Sequence, residues 1–434
     1  MLVMGCSAGA KPVAGSQHSR ERRTKTSRPY QALQDKGSVV ESWKRGAVWV
    51  FTVWACSRAG LTVVGVLARE WLGQRNSVGN VQQFFGIGTG YQWLDIWGAW
   101  DTRWYYQIAE TGYAPEGDAV GYANYAFFPL YPWITRVTAE LVGNTYLAGI
   151  IVSNLAILLG AIVFFRLLEL EKNRTVARRG VLFLFLFPTS YVFSCMMTES
   201  LFICLTISSW YFARRGSWHL ACGLAGLSAM TRSFGVLLGP FLFWEYLQQR
   251  QWRLKTFNLF QILFSIVRSL DLKVLWFALI PSGLAVFMWV CWQVTGNPLA
   301  FIQIQDAWAG GATGVNPFTL IVRTLGTAGL TVGAFGRLMG VLTLMTTAAV
   351  IIIGRRKVNP ALVLWSLVTI FLYMSSHNNA YFSMMRYLVV VFPLYMILAS
   401  YKLPRSSLLI TVIGLALLQA VSMAFWTNGF QWAI

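Results

Sequence analysis

Apolar runs close to 20 residues long recur along this chain, from about residue 47 to about residue 424. Each is long enough to cross a hydrocarbon core about 30 Å thick as a helix. Lipid offers no partner for backbone polar groups, so such a chain must close its hydrogen bonds within helices or around a barrel. The period-2 alternation of barrel strands is absent, which leaves helices. Only 12% of the 434 residues are charged, against about 25% in soluble domains, and mean hydropathy is +0.54. The expected class is an all-α polytopic membrane protein.

The net charge of +19 points to membrane lipid rather than nucleic acid as partner, because of where the charge lies. Lys and Arg crowd the N-terminal stretch (Lys11, Arg20, Arg22, Arg23, Lys25, Arg28, Lys36, Lys44, Arg45) and short loops. Basic loops on alternate sides are the positive-inside pattern. Residues 1–45 read as a disordered, basic, cytoplasmic tail and 46–434 as the transmembrane domain. After a first span at 47–68, the stretch 69–145 holds Glu70, Asp95, Asp101, Glu110, Glu116, Asp118 and Glu140 with few basic residues, so it is expected as a long loop on the outer face. A return span at 146–168 leads to Lys172, Arg174, Arg178 and Arg179.

Segments 180–213 and 218–248 are each basic at both ends, which requires an even number of crossings. Each is expected to be a hairpin of short helices, turning at Pro188 with Thr198-Glu199-Ser200 and at Thr231-Arg232-Ser233. A single straight span would bury Arg232 near mid-membrane, at roughly 2.5–3.5 kcal/mol or more. The hairpin sets Arg232 on the same side as Asp101. Residues 256–272 suit an interfacial helix. Further spans are expected at 274–294, 331–353, 360–375, 386–401 and 406–424, for a total of about eleven.

Trp93, Trp97, Trp100 and Trp104 follow one another at spacings that share a helical face, ended by Gly112 as C-cap. The stripe fits an aromatic belt at the headgroup level, and also a stacking wall for sugar rings. Asp101 falls beside Trp97, Trp104 and Tyr105 at helical spacing, where a low-dielectric surface suits a general base; an ion pair with Arg103 is the plainer alternative. No Asp-x-Asp motif and no Gly-rich phosphate loop is present, which disfavours a metal-bound nucleotide sugar. A polyprenyl-phosphate sugar fits better, since its phosphate leaves without a protein acid and only one base is needed. A cationic site must still hold the leaving phosphate. Arg232 is the first candidate and Arg386 the second, with pairing of Arg232 to Glu199 or Asp306 as the structural alternative. The six cysteines and three histidines have no metal-ligand spacing. No cofactor is required, and a divalent metal is left open. His377 reads as a capping or packing residue.

Trp100-Asp101, Ile108-Ala109-x-x-Gly112-Tyr113 and Ala126-Phe127-Phe128-Pro129-Leu130-Tyr131-Pro132 occur in that order. They are followed by Ser153-Asn154, Phe187-Pro188-Thr189, Thr198-Glu199-Ser200-Leu201-Phe202, Thr231-Arg232-Ser233, Gly296-Asn297-Pro298-Leu299-Ala300-Phe301 with Gln305 and Trp308, and Arg386-Tyr387. The series, over roughly 95–395, resembles the PIG-V family, the second-mannose transferases of glycosylphosphatidylinositol assembly and their bacterial relatives. The resemblance implies a GT-C-like bundle with juxtamembrane helices in its first outer loop. It also implies an inverting mechanism, a site on the outer face and a polyprenyl-phosphate sugar donor, with mannose as the family's sugar. The family's acidic residue in that loop maps onto Asp101. Eukaryotic members often show His-Trp-Asp where this chain has Ala99-Trp100-Asp101, and its lean loops look bacterial, which argues against the GPI acceptor and leaves the acceptor open.

The expected function is therefore an outward-facing glycosyltransferase of the bacterial plasma membrane (ER membrane if eukaryotic), acting on a glycan or glycolipid acceptor. Asp101 would be the base, Arg232 and Arg386 the phosphate binders, and Trp97, Trp100, Trp104 and Tyr105 the sugar side. Glu199, Gln305 and Trp308 would be further sugar or acceptor contacts. The rival is a lipid-linked-sugar flippase or secondary transporter, which needs ionisable residues deep within spans. A non-catalytic glycan-assembly subunit is a third reading.

Overall fold

The computed structural model describes residues 36–72, 81–117, 121–252, 258–308, 321–322, 326, 332–375 and 380–430. The chain divides into two compact units, Met1–Val48 and Trp49–Ile434, and the second carries every candidate site residue. In the first unit the description begins at Lys36, already helical and inside the stretch assigned to the tail. The described residues are helices and connecting turns, with no strand among them.

Five helices among the described residues are long and apolar enough to cross a membrane: Lys44–Leu72, Thr145–Glu171, Leu272–Thr295, Gly336–Ile353 and Arg405–Thr427. They make the chain an integral membrane protein and match the spans expected at 47–68, 146–168, 274–294, 331–353 and 406–424. The other expected crossings fall on shorter helices. Segment 180–213 is a pair, Arg174–Leu186 and Glu199–Arg214, and segment 218–248 is a second pair, Trp218–Thr231 and Leu238–Gln249. Each reverses where the polar residues were, through short 3₁₀ turns at Ser190–Ser194 and Ser233–Leu237. Leu259–Ser269 has no buried residue and exposes Leu259, Phe260, Leu263, Phe264 and Val267, the form expected of an interfacial helix.

The span expected at 386–401 is a correction. The chain there forms two helices, Ala380–Leu388 and Pro393–Ala399. Pro393 cannot donate a helical hydrogen bond, so the ladder of the first helix cannot run through it and a second helix starts on the proline, after Phe392 at φ −58°, ψ −27°. Arg386 consequently lies in the last turn of a buried helix rather than at the head of a span.

Small residues set the closest helix crossings. A Cβ on Gly160 would sit 2.9 Å from Cys204 Cα, so Thr145–Glu171 meets Glu199–Arg214 backbone to backbone. A Cβ on Gly283 would fall 1.9 Å from Gly226 O, closing Leu279–Thr295 onto Trp218–Thr231 the same way. Without a hydrophobic drive between helices in lipid, such contacts supply the packing.

The reversal between Arg174–Leu186 and Glu199–Arg214 is fully buried yet not α-helical, so its carbonyls need side-chain donors. Arg58 donates to Ser190 O (3.0 Å) and Ser194 Oγ (3.1 Å). Gln419 donates to Phe185 O (2.7 Å) and Ser153 to Cys195 O (2.6 Å). Thr189, from the reversal itself, donates to Met385 O (2.8 Å) and ties it to the helix that bears Arg386.

Candidate active site

Four charged residues from four separate stretches meet as one chain of ion pairs. Arg386 Nη2 is 2.6 Å from Asp101 Oδ2, and Arg386 Nε is 2.9 Å from Glu199 Oε1. Arg232 Nη1 donates to the same Glu199 Oε1 at 2.9 Å. Two acids and two guanidiniums leave the quartet formally neutral. Glu199 is 1% exposed and stands in the first turn of Glu199–Arg214, where the helix N-terminus favours negative charge. Arg232 is the C-cap of Trp218–Thr231, in extended conformation at the second reversal. The two reversals thus face each other, as the even-crossing argument required.

Asp101 is the half-buried N-cap of Thr102–Thr111, its side chain free of any capping bond and turned to Arg386. Just before it, Trp100 has φ +52°, a left-handed conformation that costs a bulky residue about 1–3 kcal/mol. Arg103, the plainer partner for Asp101, instead lies over the rings of Phe85 (4.9 Å) and Trp104 (4.2 Å).

Trp100's φ also breaks the expected tryptophan stripe, a second correction. Gln92–Asp95 and Thr102–Thr111 are separate helices, so the four rings do not share one face. Trp93 is exposed, whereas Trp97 is buried in the core and Trp100 packs against it. Trp104 is buried with Phe127 stacked on it at 5.8 Å. Tyr105 points inward, 3.3 Å from Thr198 Oγ1, beside the quartet. Gln305 donates to Phe301 O at 3.4 Å and is not a partner of the quartet. The side chains of Asp306 and Trp308, and His377 altogether, lie outside the described residues.

The rings that do accompany the arginines come from elsewhere. Arg232 lies over Tyr387 (5.5 Å) and Phe202 (6.0 Å), and Tyr387 stacks on Tyr373 at 4.7 Å. The one available signal was the position of Phe202 and Tyr387, three residues after Glu199 and one after Arg386. Three atoms of the quartet are buried without a hydrogen-bond partner: Arg386 Nη1, Glu199 Oε2 and Arg386 Nε, whose 2.9 Å contact with Glu199 Oε1 is an ion pair without hydrogen-bond alignment. Arg386 therefore has a spare donor at the point where it holds Asp101. Such an arrangement can take an anion on the guanidinium and hand Asp101 a proton-accepting role. Among the described residues no group of three or more His, Cys, Asp or Glu is placed to hold a metal ion.

Residues 90–303, which carry Asp101, Glu199 and Arg232, match the family model Mannosyltransferase (PIG-V). That stretch of the chain is similar to the PIG-V mannosyltransferases. The match supports a glycosyltransferase. A sequence search of characterised proteins returns no match. Among solved structures the chain is similar to ArnT from Cupriavidus metallidurans bound to undecaprenyl phosphate. Identity is 14%, over 76% of this chain and 71% of that one, with a TM-score of 0.40. It is also similar to the Archaeoglobus fulgidus oligosaccharyltransferase tethered with an acceptor peptide, at 13% identity and a TM-score of 0.42. That match covers 89% of this chain and 55% of the archaeal one, so the chain spans about half its length.

Proposed function

We propose that this chain is a PIG-V-like, inverting GT-C transferase. It moves a sugar, mannose in the first instance, from a polyprenyl-phosphate donor to a hydroxyl of a glycan or glycolipid acceptor. The reaction takes place on the outer face of a membrane, the bacterial plasma membrane by the leanness of the loops. Asp101 removes the acceptor's proton as its oxygen bonds to the sugar's anomeric carbon. The bond from that carbon to the phosphate oxygen breaks on the opposite side, and the electron pair leaves with the polyprenyl phosphate. Arg386 and Arg232 hold the departing charge in a site that excludes water, where such stabilisation is large.

The observation that carries this reading is the Asp101–Arg386 ion pair, with Arg386 Nη1 buried and uncommitted beside it. A guanidinium fork suits phosphate oxygens. As the donor's phosphate takes up the guanidinium, Asp101 gives up its ion pair and is left to the acceptor. The rings of Phe202, Tyr387 and Tyr373 near Arg232 offer an apolar path for the first isoprene units.

Membranes containing the protein, incubated with radiolabelled polyprenyl-phosphate mannose, should yield a labelled glycan or glycolipid, and Asp101→Asn membranes should not. Label that crosses reconstituted vesicles without entering a glycosidic bond would replace this reading with lipid-linked-sugar transport.

A further inference from the structure

The helix Thr102–Thr111 presents two different faces. One turns Tyr105 towards Thr198 and the quartet. The other bears Arg103, Tyr106, Gln107 and Glu110, positions that fall on one stripe of a 3.6-residue helix. With Glu116 and Tyr122 they line a cavity of about 430 Å³ in the first outer loop, within the roughly 300–1,000 Å³ usual for ligand sites. None of the four quartet residues lines it. It is a separate space sharing a helix with the candidate base.

The lining chemistry narrows the occupant. One guanidinium faces two carboxylates, so a phosphate is disfavoured. The guanidinium of Arg103 already lies over Phe85 and Trp104. Glu110 and Glu116 are exposed and accept charge-assisted hydrogen bonds from hydroxyl groups, while Gln107 both donates and accepts. Tyr106 and Tyr122 supply flat rings with a polar tip, suited to the apolar C–H face of a pyranose. Hydroxyl groups, apolar ring faces and no net negative charge describe a neutral sugar.

We propose that this cavity binds a neutral saccharide, the stem of an oligosaccharide acceptor whose end reaches Asp101 around the start of the helix. The assignment to the acceptor rests on the transferase reading above; the sugar binding itself does not. At about 1.5 Å of rise per residue, the stripe runs from roughly 3 to 14 Å along the helix axis from Asp101. A ligand held there is offset from the reacting group by the length of a short oligosaccharide.

The test is saturation-transfer NMR of the full chain in nanodiscs, with a mannobiose as probe. Wild type and Asp101→Asn should bind it equally. The pair Tyr106→Ala with Glu110→Gln should weaken binding roughly tenfold. Gln107→Trp, which fills the cavity and keeps both those residues, should do the same. Mannobiose binding that survives all these substitutions, or that is lost in Asp101→Asn, overturns the proposal. So does the absence of binding by the wild type. Transfer of label without mannobiose binding removes this cavity alone; binding without transfer removes the transferase reading and leaves the cavity standing.

Discussion

Arg386 and Asp101, 285 positions apart in sequence, are joined at 2.6 Å by a guanidinium that also holds Glu199 at 2.9 Å. A buried arginine between two acids is expensive to strip of either, because the charge left behind has no water to turn to. Asp101 differs from Glu199 in one respect: it is half-buried, whereas Glu199 is sealed. Exposure on one side and an arginine on the other suit a carboxylate that must release its partner and meet an incoming hydroxyl.

Asp101→Asn should therefore separate chemistry from folding. The amide keeps the size and the hydrogen-bond acceptor, and Arg386 retains Glu199, so the variant should still fold, with stability lowered by about 1–3 kcal/mol for the lost ion pair. The transfer rate should fall by about 10²- to 10⁴-fold, the usual contribution of a general base. Radiolabel transfer and thermal unfolding of the same purified variant check this together. A variant that transfers at the wild-type rate ends the assignment of Asp101 as base.

The branching of the quartet gives a second expectation. Asp101 touches Arg386 and reaches Arg232 only through Glu199. A double-mutant cycle on unfolding, with Asp101→Asn and Arg386→Gln, should return a coupling of about 1–3 kcal/mol, as for residues in one ion-pair network. The parallel cycle of Asp101→Asn with Arg232→Gln should stay within about 0.5 kcal/mol, the additive limit. Equal couplings would mean that the four charges act as one undivided unit.

The reversals at residues 187–198 and 231–233 were legible because charge bias constrains crossings: basic residues at both ends of an apolar stretch force an even count. That placed Glu199 and Arg232 on Asp101's side. Their pairing with Arg386 was not legible, since no local spacing encodes a contact over 285 residues. The tryptophan stripe misled for a local reason. Helical periodicity assumes an unbroken helix, and Trp100 at φ +52° breaks it, which no propensity for Trp predicts. Neither Arg58 nor Arg69 carries a local signal: Arg58 sits alone in an apolar run, and Arg69 ends the same run beside Glu70. Both are buried, and Nη1 and Nη2 of Arg58 donate to Ser57, Ser190 and Ser194 rather than to an acid.

The glycine crossings can be tested against a glycine that touches nothing. Gly283→Leu must push a side chain into Gly226 O and Met230 N, so the two helices have to separate. Overpacking of a fitted contact costs about 1–3 kcal/mol or more, and detergent-solubilised protein should unfold at a clearly lower temperature or not accumulate. Gly414 faces open space, with nothing within 4 Å of an added Cβ. Gly414→Leu should remain within about 0.5 kcal/mol of wild type. Similar midpoints for the two variants would argue against the close crossing.

Asp95 offers the sharpest contrast with Asp101, since the two acids lie in the same loop and do different work. Asp95 is buried, with Oδ1 accepting from Thr89 N (2.7 Å) and Thr89 Oγ1 (2.9 Å), and Oδ2 accepting from Gly90 N (3.1 Å). Its backbone carbonyl takes Arg69 Nη2 (2.9 Å) and Gln82 Nε2 (2.7 Å), fastening the loop to the first long helix. Bonds to a charged acceptor contribute about 1.5–3 kcal/mol each, and they do not add fully when shared by one group. Asp95→Ala should therefore destabilise the protein by about 2–4 kcal/mol and speed amide hydrogen exchange at Thr89 and Gly90. At temperatures where it stays folded it should still transfer sugar, because it stands outside the quartet. Loss of transfer with unchanged exchange at Thr89 and Gly90 would reverse the roles assigned to the two aspartates.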